Sequence, residues 1–420
     1  MNAPQPASLS PWGDAPTSRA PGWVYTRDDV YREELERFFY RGHWCYVGLE
    51  CEIPNPGDWR RSVVGERSVI LARDRQGEVH VVENRCAHRG VAFCRERQGN
   101  SKSFSCPYHQ WTYALNGDLL GLAFRNGVKS GEGVNGGMPA DFKLSEHGLT
   151  KLKVACRGGA VFASFDAEVE PFEDFLGPEV LPWYDRVFNP ERPLKLLGYN
   201  RQRIPANWKL MQENIKDPYH PGLLHTWFVN FGLWRADQQS RMVTDRHHRH
   251  ACMISRRSEA AAAQAVTQGV ASYKPGMVLN DPRLLDVVPE PWWNGPTVVM
   301  STLFPSLIVQ QQVNSLSTRH IRPVAPGVFD FVWTHFGYAT DDEAMTRRRL
   351  RQANLFGPAG FVSADDGEVI EFVQQAFDAH PEARTISELD GRDAKADTPH
   401  NVTETLIRGM YGYWRQVMGL

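Results

Sequence analysis

The sequence predicts an α+β fold in which a small all-β domain precedes a larger domain of helices and antiparallel sheet. Between residues 43 and 158, short β-branched and aromatic runs alternate with turn patterns such as Leu115-Asn-Gly-Asp118. Between residues 296 and 338, longer strand patterns follow one another, and an amphipathic helical pattern comes after them. The 420 residues therefore predict two main domains, at 43–158 and 159–420.

The N-terminal residues 1–42 are expected to form an arm and a helix that pack with the larger domain. Pro, Ala, Ser and Gly dominate the first 22 residues, a composition typical of an extended arm. From Thr26, apolar residues recur at helical spacing among Glu and Arg, and Gly42 ends this pattern.

Composition excludes several classes of protein. The apolar share is 42% and the aromatic share 11%, which is typical of a globular chain with a sizeable core. A net charge of -2 gives no indication of binding to nucleic acid or to a membrane surface. The N-terminus lacks the basic and apolar regions of a signal peptide, and no apolar stretch is long enough to span a bilayer. We therefore expect a soluble, cytoplasmic protein without structural disulfides among its seven cysteines.

Two cysteine–histidine pairs lie in the β-rich region, Cys86-Ala-His88 and Cys106-Pro-Tyr-His109. Each pair offers one thiolate and one imidazole from a turn, so that two loops can hold a two-iron cluster from opposite sides. Thiolates on one iron and imidazoles on the other are the ligands of a Rieske [2Fe–2S] cluster. Zinc is the alternative, but zinc fingers usually place both cysteines before both histidines, whereas the order alternates here.

A second candidate metal site follows a helical pattern, in the segment Asp217-Pro-Tyr-His220-Pro-Gly-Leu-Leu-His225. The spacing of the two histidines corresponds to about 500° of rotation, so a straight helix would separate their imidazoles. Two prolines and a glycine interrupt the helix, and a distorted segment can bring both rings to one metal ion. A helix end with polar caps is the alternative interpretation.

A mononuclear non-haem iron site needs two histidines and one carboxylate. The pair Asp365-Asp366 is the candidate carboxylate, because it follows a Gly/Pro-rich segment at the start of a helical pattern. The pattern does not separate the two residues, and either of them could instead cap the helix. Asp217, three residues before His220, can orient that imidazole, and Asn214 lies one turn earlier, where it can line the iron pocket.

Together, Cys86-x-His88, Cys106-x-x-His109 and Asp217-x-x-His220-x₄-His225 resemble the large (α) subunits of Rieske non-haem iron aromatic-ring oxygenases. Both motifs are complete, and the resemblance covers nearly the whole chain. Within this family, the stretches at 212–227, 310–314 and 357–366 resemble members that hydroxylate salicylate at C5.

The resemblance implies a Rieske [2Fe–2S] domain at 43–158 and a helix-grip catalytic domain with an antiparallel sheet at 159–420. The implied metal ligands are Cys86, His88, Cys106 and His109 for the cluster, and His220, His225 and Asp366 for a mononuclear Fe(II). At the position of Asp217, the family has a link between the cluster histidine of a neighbouring subunit and an iron-binding histidine.

The implied reaction is the hydroxylation of an aromatic carboxylic acid with O₂, from salicylate to gentisate, with another acid such as anthranilate or a halobenzoate as the alternative. Electrons would come from NADH through a separate reductase and a ferredoxin, and a small β subunit would complete an α3β3 oligomer. Monooxygenation and dioxygenation both fit the sequence. A Rieske electron carrier without oxygenase activity does not fit, because it would need only the β-rich domain.

The substrate contacts are expected on the strand pattern Ile308-Val-Gln-Gln-Gln-Val-Asn314. With a period of two, Gln310, Gln312 and Asn314 share one face, where buried amides need each other or a polar ligand as partners. We expect Gln312 to bind the substrate.

Ser363, one turn before Asp366, is the second expected substrate contact. Arg319 and Arg322 are the alternatives for binding a carboxylate, although an arginine near a strand end is usually solvated. The pattern does not choose between the amides and the arginines.

Two further patterns are expected to carry no chemistry. Gly131-Glu-Gly-Val-Asn-Gly136 fits a dinucleotide-binding fingerprint but lacks the required flanking strand and helix, which predicts a surface loop. The cluster His247-His-Arg-His250 is expected to be a solvated segment, because adjacent side chains point in different directions.

Overall fold

The computed structural model describes residues 12–131, 133–231, 238–256, 273–274 and 276–420. The chain forms two compact units: Phe39–Val169, and a second unit that joins the N-terminal residues up to Phe38 with Glu170–Leu420. The first is built of β-strands and the second of helices and an antiparallel sheet, which confirms the predicted α+β class. Among the described helices, none has both the length and the apolar character that crossing a membrane requires.

The β-unit contains short strands, as its turn-rich sequence predicts. These strands are β1 (Cys45–Leu49), β2 (Asp58–Val64), β3 (Arg67–Arg73), β4 (Val79–Glu83), β5 (Gln98–Asn100), β6 (Phe104–Ser105), β7 (Thr112–Tyr113), β8 (Leu119–Gly121), β9 (Val128–Ser130), β10 (Gly133–Asn135), β11 (Lys153–Arg157) and β12 (Ala160–Ser164). They form the sheets β1-β12-β11, β4-β3-β2-β5 and β6-β7-β8 and the hairpin β9-β10. Because β12 pairs with both β1 and β11, the unit continues past the predicted boundary at Gly158.

The core of the β-unit includes the cysteines of both cysteine–histidine loops. Ile70 and Ala72 of β3 and Val82 of β4 belong to one buried cluster with Cys86 and Cys106. The two sulfur-bearing residues are therefore anchored in the core of this unit.

The glycine-rich stretch at 131–136 lies in the exposed hairpin β9-β10. Gly133–Asn135 is a strand rather than the start of a helix, and it pairs with Val128–Ser130. Glu132 lies outside the described residues.

The second unit is organised around one antiparallel sheet. Its helices are α1 (Trp23–Thr26), α2 (Asp28–Glu34), α3 (Phe172–Leu176), α4 (Leu181–Val187), α5 (Trp208–Lys216), α6 (Pro221–Leu224), α7 (Thr226–Asn230), α8 (Glu343–Phe356), α9 (Ser363–Ala379) and α10 (Thr405–Met418). Its strands are β13 (Leu194–Ile204), β14 (Ser240–Thr244), β15 (Ala251–Ser255), β16 (Val298–Leu303), β17 (Leu307–Gln312), β18 (Ser315–Ala325), β19 (Val328–Tyr338) and β20 (Asp397–Thr398), in the sheet order β13-β19-β18-β17-β16-β15-β14-β20. Helix α5 contacts α9, β16 and β18, so that the sheet wraps over the central helices in the predicted helix-grip arrangement.

One face of this sheet combines apolar and amide side chains. The strand register aligns Met242, Met253 and Met300 across β14, β15 and β16, and we call these three residues the methionine row. Gln310 of β17 lies next in the same row, opposite Met300. Gln312 follows two residues later on the same face, because side chains alternate along a strand.

Asn314 does not share this face, contrary to the sequence prediction. Strand β17 ends at Gln312, and Val313 takes a positive φ of 48° in the turn to β18. The amide of Asn314 instead bonds with the backbone of Val288, accepting its N–H at 3.0 Å and donating to its carbonyl at 2.7 Å. The predicted row of three amides is therefore a pair.

The N-terminal segment is tied to helix α5 by a buried charge pair. Lys209 Nζ lies 2.8 Å from the Glu34 carboxylate, and both side chains are fully buried. The indole N–H groups of Trp208 and Trp414 donate to the same carboxylate, at 3.0 and 2.7 Å. Because removing one partner of such a pair typically costs about 3–5 kcal/mol, this contact holds α2 against the helix that leads into the candidate site.

The prediction of a solvated segment at 247–250 is wrong for its last two residues. Arg249 is 4% exposed and His250 is fully buried. His250 Nε2 lies 2.9 Å from the carbonyl oxygen of Phe175, and its Nδ1 accepts the N–H of Phe304. These partners come from distant parts of the chain, which the local pattern does not reveal.

Candidate metal centres and substrate pocket

The two cysteine–histidine loops share one backbone design. In the first loop, the N–H of Cys86 donates to the carbonyl of Val91, and the N–H of Gly90 donates to the carbonyl of Cys86. The second loop repeats this pattern with Cys106, Trp111 and Gln110, and all four hydrogen bonds measure 2.9 Å. The residue four positions after each cysteine takes a positive φ, 72° at Gly90 and 56° at Gln110. The backbone of each loop therefore folds back over its cysteine, and the two loops have matching conformations that can hold one cluster between them.

The imidazoles of His88 and His109 lie side by side, with ring centroids 4.6 Å apart. His88 stacks on Trp111 at 4.9 Å, and its Nδ1 is buried without a hydrogen-bond partner among the described residues. Burial, followed by the charges of His109 and Arg89, lowers the pKa of His88. A neutral imidazole with an unpaired nitrogen is the form that binds a metal ion.

The donor set of two thiolates and two imidazoles, offered by two matching loops, is the one that a Rieske two-iron cluster takes. Cys86 and Cys106 are each 2% exposed. Burial raises the pKa of Cys106, and the thiol of Cys86 adds to this effect, so the Cys106 thiol favours the protonated form until a metal replaces the proton.

The second site is carried by a helical segment that breaks twice. Helix α5 ends at Lys216, and α6 begins only after His220. His225 stands between α6 and α7, with a non-helical ψ of 80°. These breaks around Pro218 and Pro221 bring the two imidazoles together, which a straight helix would not do.

His220, His225 and Asp366 converge on one point. Their ligand atoms all lie within 4.8 Å of one another. Asp366 Oδ1 lies 3.4 Å from His220 Nε2 and 3.1 Å from His225 Nε2. Two imidazoles and one carboxylate on one side are the ligand set of a mononuclear non-haem iron centre that leaves positions open for O₂ and substrate.

Asp365 and Asp366 have different neighbours, although they are adjacent in the sequence. The side chain of Asp366 is 4% exposed and lies at the point of convergence. Asp365 Oδ2 lies 3.2 Å from His225 Nδ1, the other nitrogen of that ring, and its side chain is 41% exposed. The geometry favours Asp366 as the metal ligand and Asp365 as the residue that orients His225.

The charges at this site are arranged for a cation. Burial opposes the charged form of His220, but Asp217 and Asp366 outweigh it and raise its pKa to about 10. Burial likewise opposes ionisation of Asp366, yet His220 and His225 hold the pKa of this carboxyl far below its ordinary range. Asp366 is therefore a full carboxylate at the point where a metal ion would bind.

Asp217 and Asn214 lie next to the three ligand residues. Asp217 Oδ2 lies 3.4 Å from His220 Nδ1, and its Oδ1 accepts the N–H of Tyr219 at 2.7 Å. Asn214 Nδ2 donates to Asp366 Oδ1 at 3.2 Å, while its own Oδ1 is buried without a partner in the described structure. Both side chains therefore contact a ligand residue, Asp217 on the side of the ring away from the point of convergence.

A cavity of about 90 Å³ lies beside this segment. It is lined by Pro218 and Pro221, which flank His220 in the chain, and by the methionine row and Gln312. Ser363, the other predicted substrate contact, does not line it. The hydroxyl of Ser363 is buried and has no hydrogen-bond partner among the residues described.

The network behind Gln312 is not apparent from the sequence. Gln310 Nε2 donates to Gln312 Oε1, and Gln310 Oε1 accepts from Arg319 Nε at 2.8 Å and from Ser317 Oγ at 3.1 Å. Arg319 is only 2% exposed, so the expectation of a solvated arginine is wrong. The sequence gives no local indication of this burial, because Arg319 lies in the largely polar stretch Ser315-Leu-Ser-Thr-Arg-His320.

Comparisons with known proteins agree with two metal-binding domains. Residues 43–130 match the family model described as Rieske [2Fe-2S] domain, and residues 188–420 match the model described as ring hydroxylating alpha subunit (catalytic domain). The chain is 67% identical to the large oxygenase component of salicylate 5-hydroxylase from Ralstonia sp, over 97% of this chain and 96% of that protein. It is 39% identical to the anthranilate 1,2-dioxygenase large subunit of Burkholderia cepacia, over 96% of this chain and 94% of that protein.

Among solved structures, the naphthalene 1,2-dioxygenase from Rhodococcus sp. bound to indole has the same fold. The TM-score is 0.77 at 23% sequence identity, over 95% of this chain and 94% of that chain. Members of this family use a Rieske cluster together with mononuclear iron, and the residues described above fit both. The chain therefore belongs to the family of ring-hydroxylating oxygenase α subunits with a Rieske [2Fe–2S] domain, and it is the large terminal-oxygenase subunit of a multicomponent enzyme.

Proposed function

We propose that this subunit hydroxylates salicylate at C5 to give gentisate. The observation that carries the proposal is the 67% identity, over 97% of the chain, to the Ralstonia component. The cavity is consistent with this substrate class, because an aromatic acid needs an apolar wall for its ring and a polar contact for its carboxylate. The methionine row and Gln312 offer these two surfaces.

Seven residues would hold the two metal centres. They are Cys86, His88, Cys106 and His109 for the [2Fe–2S] cluster, and His220, His225 and Asp366 for Fe(II). When bound, the cluster passes on single electrons and the mononuclear iron activates O₂. Asp365 would hold the His225 ring in place from its Nδ1 side, and Asn214 would hold the carboxylate of Asp366.

The overall reaction consumes salicylate, O₂, two electrons and two protons and produces gentisate and water. The C–H bond at C5 breaks, a C–O bond forms there, and the second oxygen atom leaves as water. NADH would supply the electrons through a reductase and a ferredoxin.

Gln312 would fix the substrate by its carboxylate. A carboxylate only accepts hydrogen bonds, so it pairs with the amide N–H groups of the glutamine. The C5 edge of salicylate lies across the ring from the carboxylate and the hydroxyl. Anchoring the carboxylate at Gln312 would turn this edge away from β17 and towards the walls formed by Pro218 and Pro221, beside His220. Ser363, with its unpaired buried hydroxyl, would be the second polar contact.

Electron delivery would pass between subunits of an α3β3 oligomer. In such an oligomer, His109 of one α subunit would face Asp217 of the next. Asp217 suits this role because its carboxylate already lies 3.4 Å from His220 Nδ1, and 19% of its side chain is exposed. The small β subunits would complete the assembly.

Product analysis with the reconstituted electron chain tests the proposal. Salicylate, anthranilate and benzoate are offered separately with NADH and ¹⁸O₂, and the products are identified by mass spectrometry. Gentisate carrying one labelled oxygen atom, formed from salicylate at the highest kcat/KM, is the expected result. Preferred conversion of anthranilate with two labelled atoms would instead support the second candidate, an anthranilate dioxygenase, which the 39% identity to the Burkholderia cepacia subunit favours.

A further inference from the structure

Arg319 is a buried cation that donates its hydrogen bonds to a neutral side chain, the amide of Gln310. It is 2% exposed, and its guanidinium lies 3.9 Å from the centroid of the Trp333 ring. Both hydrogen bonds that the structure describes for this guanidinium end on Gln310 Oε1. Arg349, which is equally buried, forms ion pairs with carboxylates instead. Burial lowers the pKa of Arg319, and the charge of Asp366 opposes this effect. Because burying a charge that no described carboxylate bonds is costly, the position of Arg319 indicates a role beyond stability.

The guanidinium dictates which way two amides point. Amide oxygen and nitrogen atoms are normally interchangeable in a structure, but arginine can only donate hydrogen bonds. The atom of Gln310 that faces Arg319 must therefore be the oxygen, and its nitrogen is turned towards Gln312. That nitrogen can only donate, so Gln312 must present its own oxygen to Gln310. The remaining group of Gln312 is its NH₂.

Gln312 is the member of this chain of hydrogen bonds that lines the cavity. With its oxygen turned towards Gln310, the group that Gln312 has left for the cavity is its NH₂, a donor. We propose that Arg319 is a positioning residue that sets the specificity for a carboxylate, by fixing Gln310 and Gln312 so that only N–H groups face the substrate. This inference rests on the proposed contact between Gln312 and the substrate carboxylate.

The charge of Arg319 acts in the same direction as its hydrogen bonds. The positive charge of Arg319 affects neighbouring groups. The pKa of His335 is lowered to about 4, mainly by burial and further by the charge of Arg319. An anionic ligand in the cavity would gain from this positive potential, whereas a neutral ligand of the same shape would not. Carboxylate specificity therefore depends on both the orientation of the amides and the cation behind them.

The test compares two ligands of the same shape, salicylate and salicylamide, which differ by a carboxylate against a carboxamide. Their dissociation constants are measured by equilibrium dialysis with the oxygenase holoenzyme, without reductant. The ratio of the salicylamide to the salicylate dissociation constant is called the carboxylate preference. Melting temperature and metal content are measured for every variant, because a merely structural role would change these and leave the carboxylate preference intact.

Arg319→Met should lower the carboxylate preference by roughly tenfold to a hundredfold, the usual worth of a hydrogen bond to a charged group. Arg322→Met is the matched control, because Arg322 lies three residues further along β18 on the opposite face and its Nε donates to His320. The control should keep the preference of the unmodified protein.

Gln310→Glu tests the orientation without removing the buried cation. The new carboxylate would pair with Arg319, so the protein should fold, and it can only accept a hydrogen bond from Gln312. Gln312 must then turn its NH₂ towards residue 310 and present its oxygen to the cavity. We expect the carboxylate preference to be lost or inverted in favour of salicylamide, because the partner at position 310 then sets the opposite orientation of Gln312; an unchanged preference would show that this orientation does not control specificity.

The variant Gln312→Leu separates failure of this inference from failure of the proposed function. If Arg319 acts through the amides, the loss in the double variant with Arg319→Met should be smaller than the two single losses combined, and any loss beyond that of Gln312→Leu alone measures the direct effect of the charge. A preference that falls in Gln312→Leu but survives in Arg319→Met and Gln310→Glu would overturn the inference and leave the substrate contact standing. A preference that survives Gln312→Leu would overturn the contact, and the inference with it.

Discussion

Asp365 and Asp366 are neighbours with different proposed roles, and separate substitution of each tests them. Asp366→Ala removes one of the three groups whose ligand atoms lie within 4.8 Å of one another. The two remaining imidazoles should fail to retain iron. Asp365→Ala removes only the acceptor 3.2 Å from His225 Nδ1, so all three ligands stay and iron should bind more weakly.

The size of the Asp365→Ala effect follows from the exposure of this side chain. Loss of a residue that orients a metal-binding histidine typically weakens metal binding by roughly tenfold to a hundredfold. Because the Asp365 side chain is 41% exposed, water can replace part of its role as an acceptor. We therefore expect the lower end of this range, about tenfold, which corresponds to about 1.4 kcal/mol.

Anaerobic iron titration of the iron-depleted protein measures this difference. Mononuclear iron is quantified after removal of free iron, and the absorbance of the Rieske cluster serves as an internal reference that neither variant should change. Glu368→Ala is the matched control, because Glu368 is an exposed carboxylate near the same end of α9. Iron loss in Asp365→Ala with retention in Asp366→Ala would refute the assignment, and normal iron binding in both would refute the site.

Three further predictions concern other groups. His109→Cys should lower the reduction potential of the cluster towards the roughly −400 mV of all-cysteine clusters, and an unchanged value in a redox titration would show that His109 is not a ligand. Asp217→Asn should keep both metals but stop electron delivery; activity should return when these subunits are mixed with inactive His109→Ala subunits, and mixed oligomers without activity would contradict transfer between subunits. Burial raises the pKa of Glu213 from 4.5 to about 7, against the hydrogen bonds of Tyr411 and Tyr25. The folded state therefore keeps a proton that the unfolded chain releases, so stability in urea titrations should fall as pH rises from about 4.5 to about 7, and Glu213→Gln should flatten this fall.

Both candidate metal sites could be predicted because their main ligands are close in the chain. Cys86 and His88 share one loop, and His220 and His225 share one broken helical segment, so spacing and proline positions indicate convergence. The helical pattern after residue 357 likewise predicted a carboxylate at a helix start. The sequence pattern could not choose between Asp365 and Asp366. Neighbouring side chains on a helix point about 100° apart, and only the structure shows which of them faces the two histidines.

The substrate side of the site depends on pairing between segments that the sequence pattern does not align. Arg319 meets Gln310 because β17 and β18 pair in one register, with Ile308 opposite Arg319. A shift of one residue would send the arginine to the other face, and no local pattern excludes that shift. Asn314 does not lie on the predicted face of the sheet because Val313 adopts a positive φ, which is rare for a β-branched residue.

The fold of this enzyme does not select its substrate, because a naphthalene dioxygenase has the same fold. The selection would come from the buried polar groups at one edge of the cavity. A substrate without a carboxylate would leave the NH₂ of Gln312 without an acceptor, and it would gain nothing from the positive charge of Arg319. A site built to hydrogen-bond one group rejects an analogue that lacks this group far more strongly than an apolar pocket rejects an added group. Two amides and one arginine on adjacent strands would therefore be enough to turn a fold that accepts hydrocarbons towards aromatic acids.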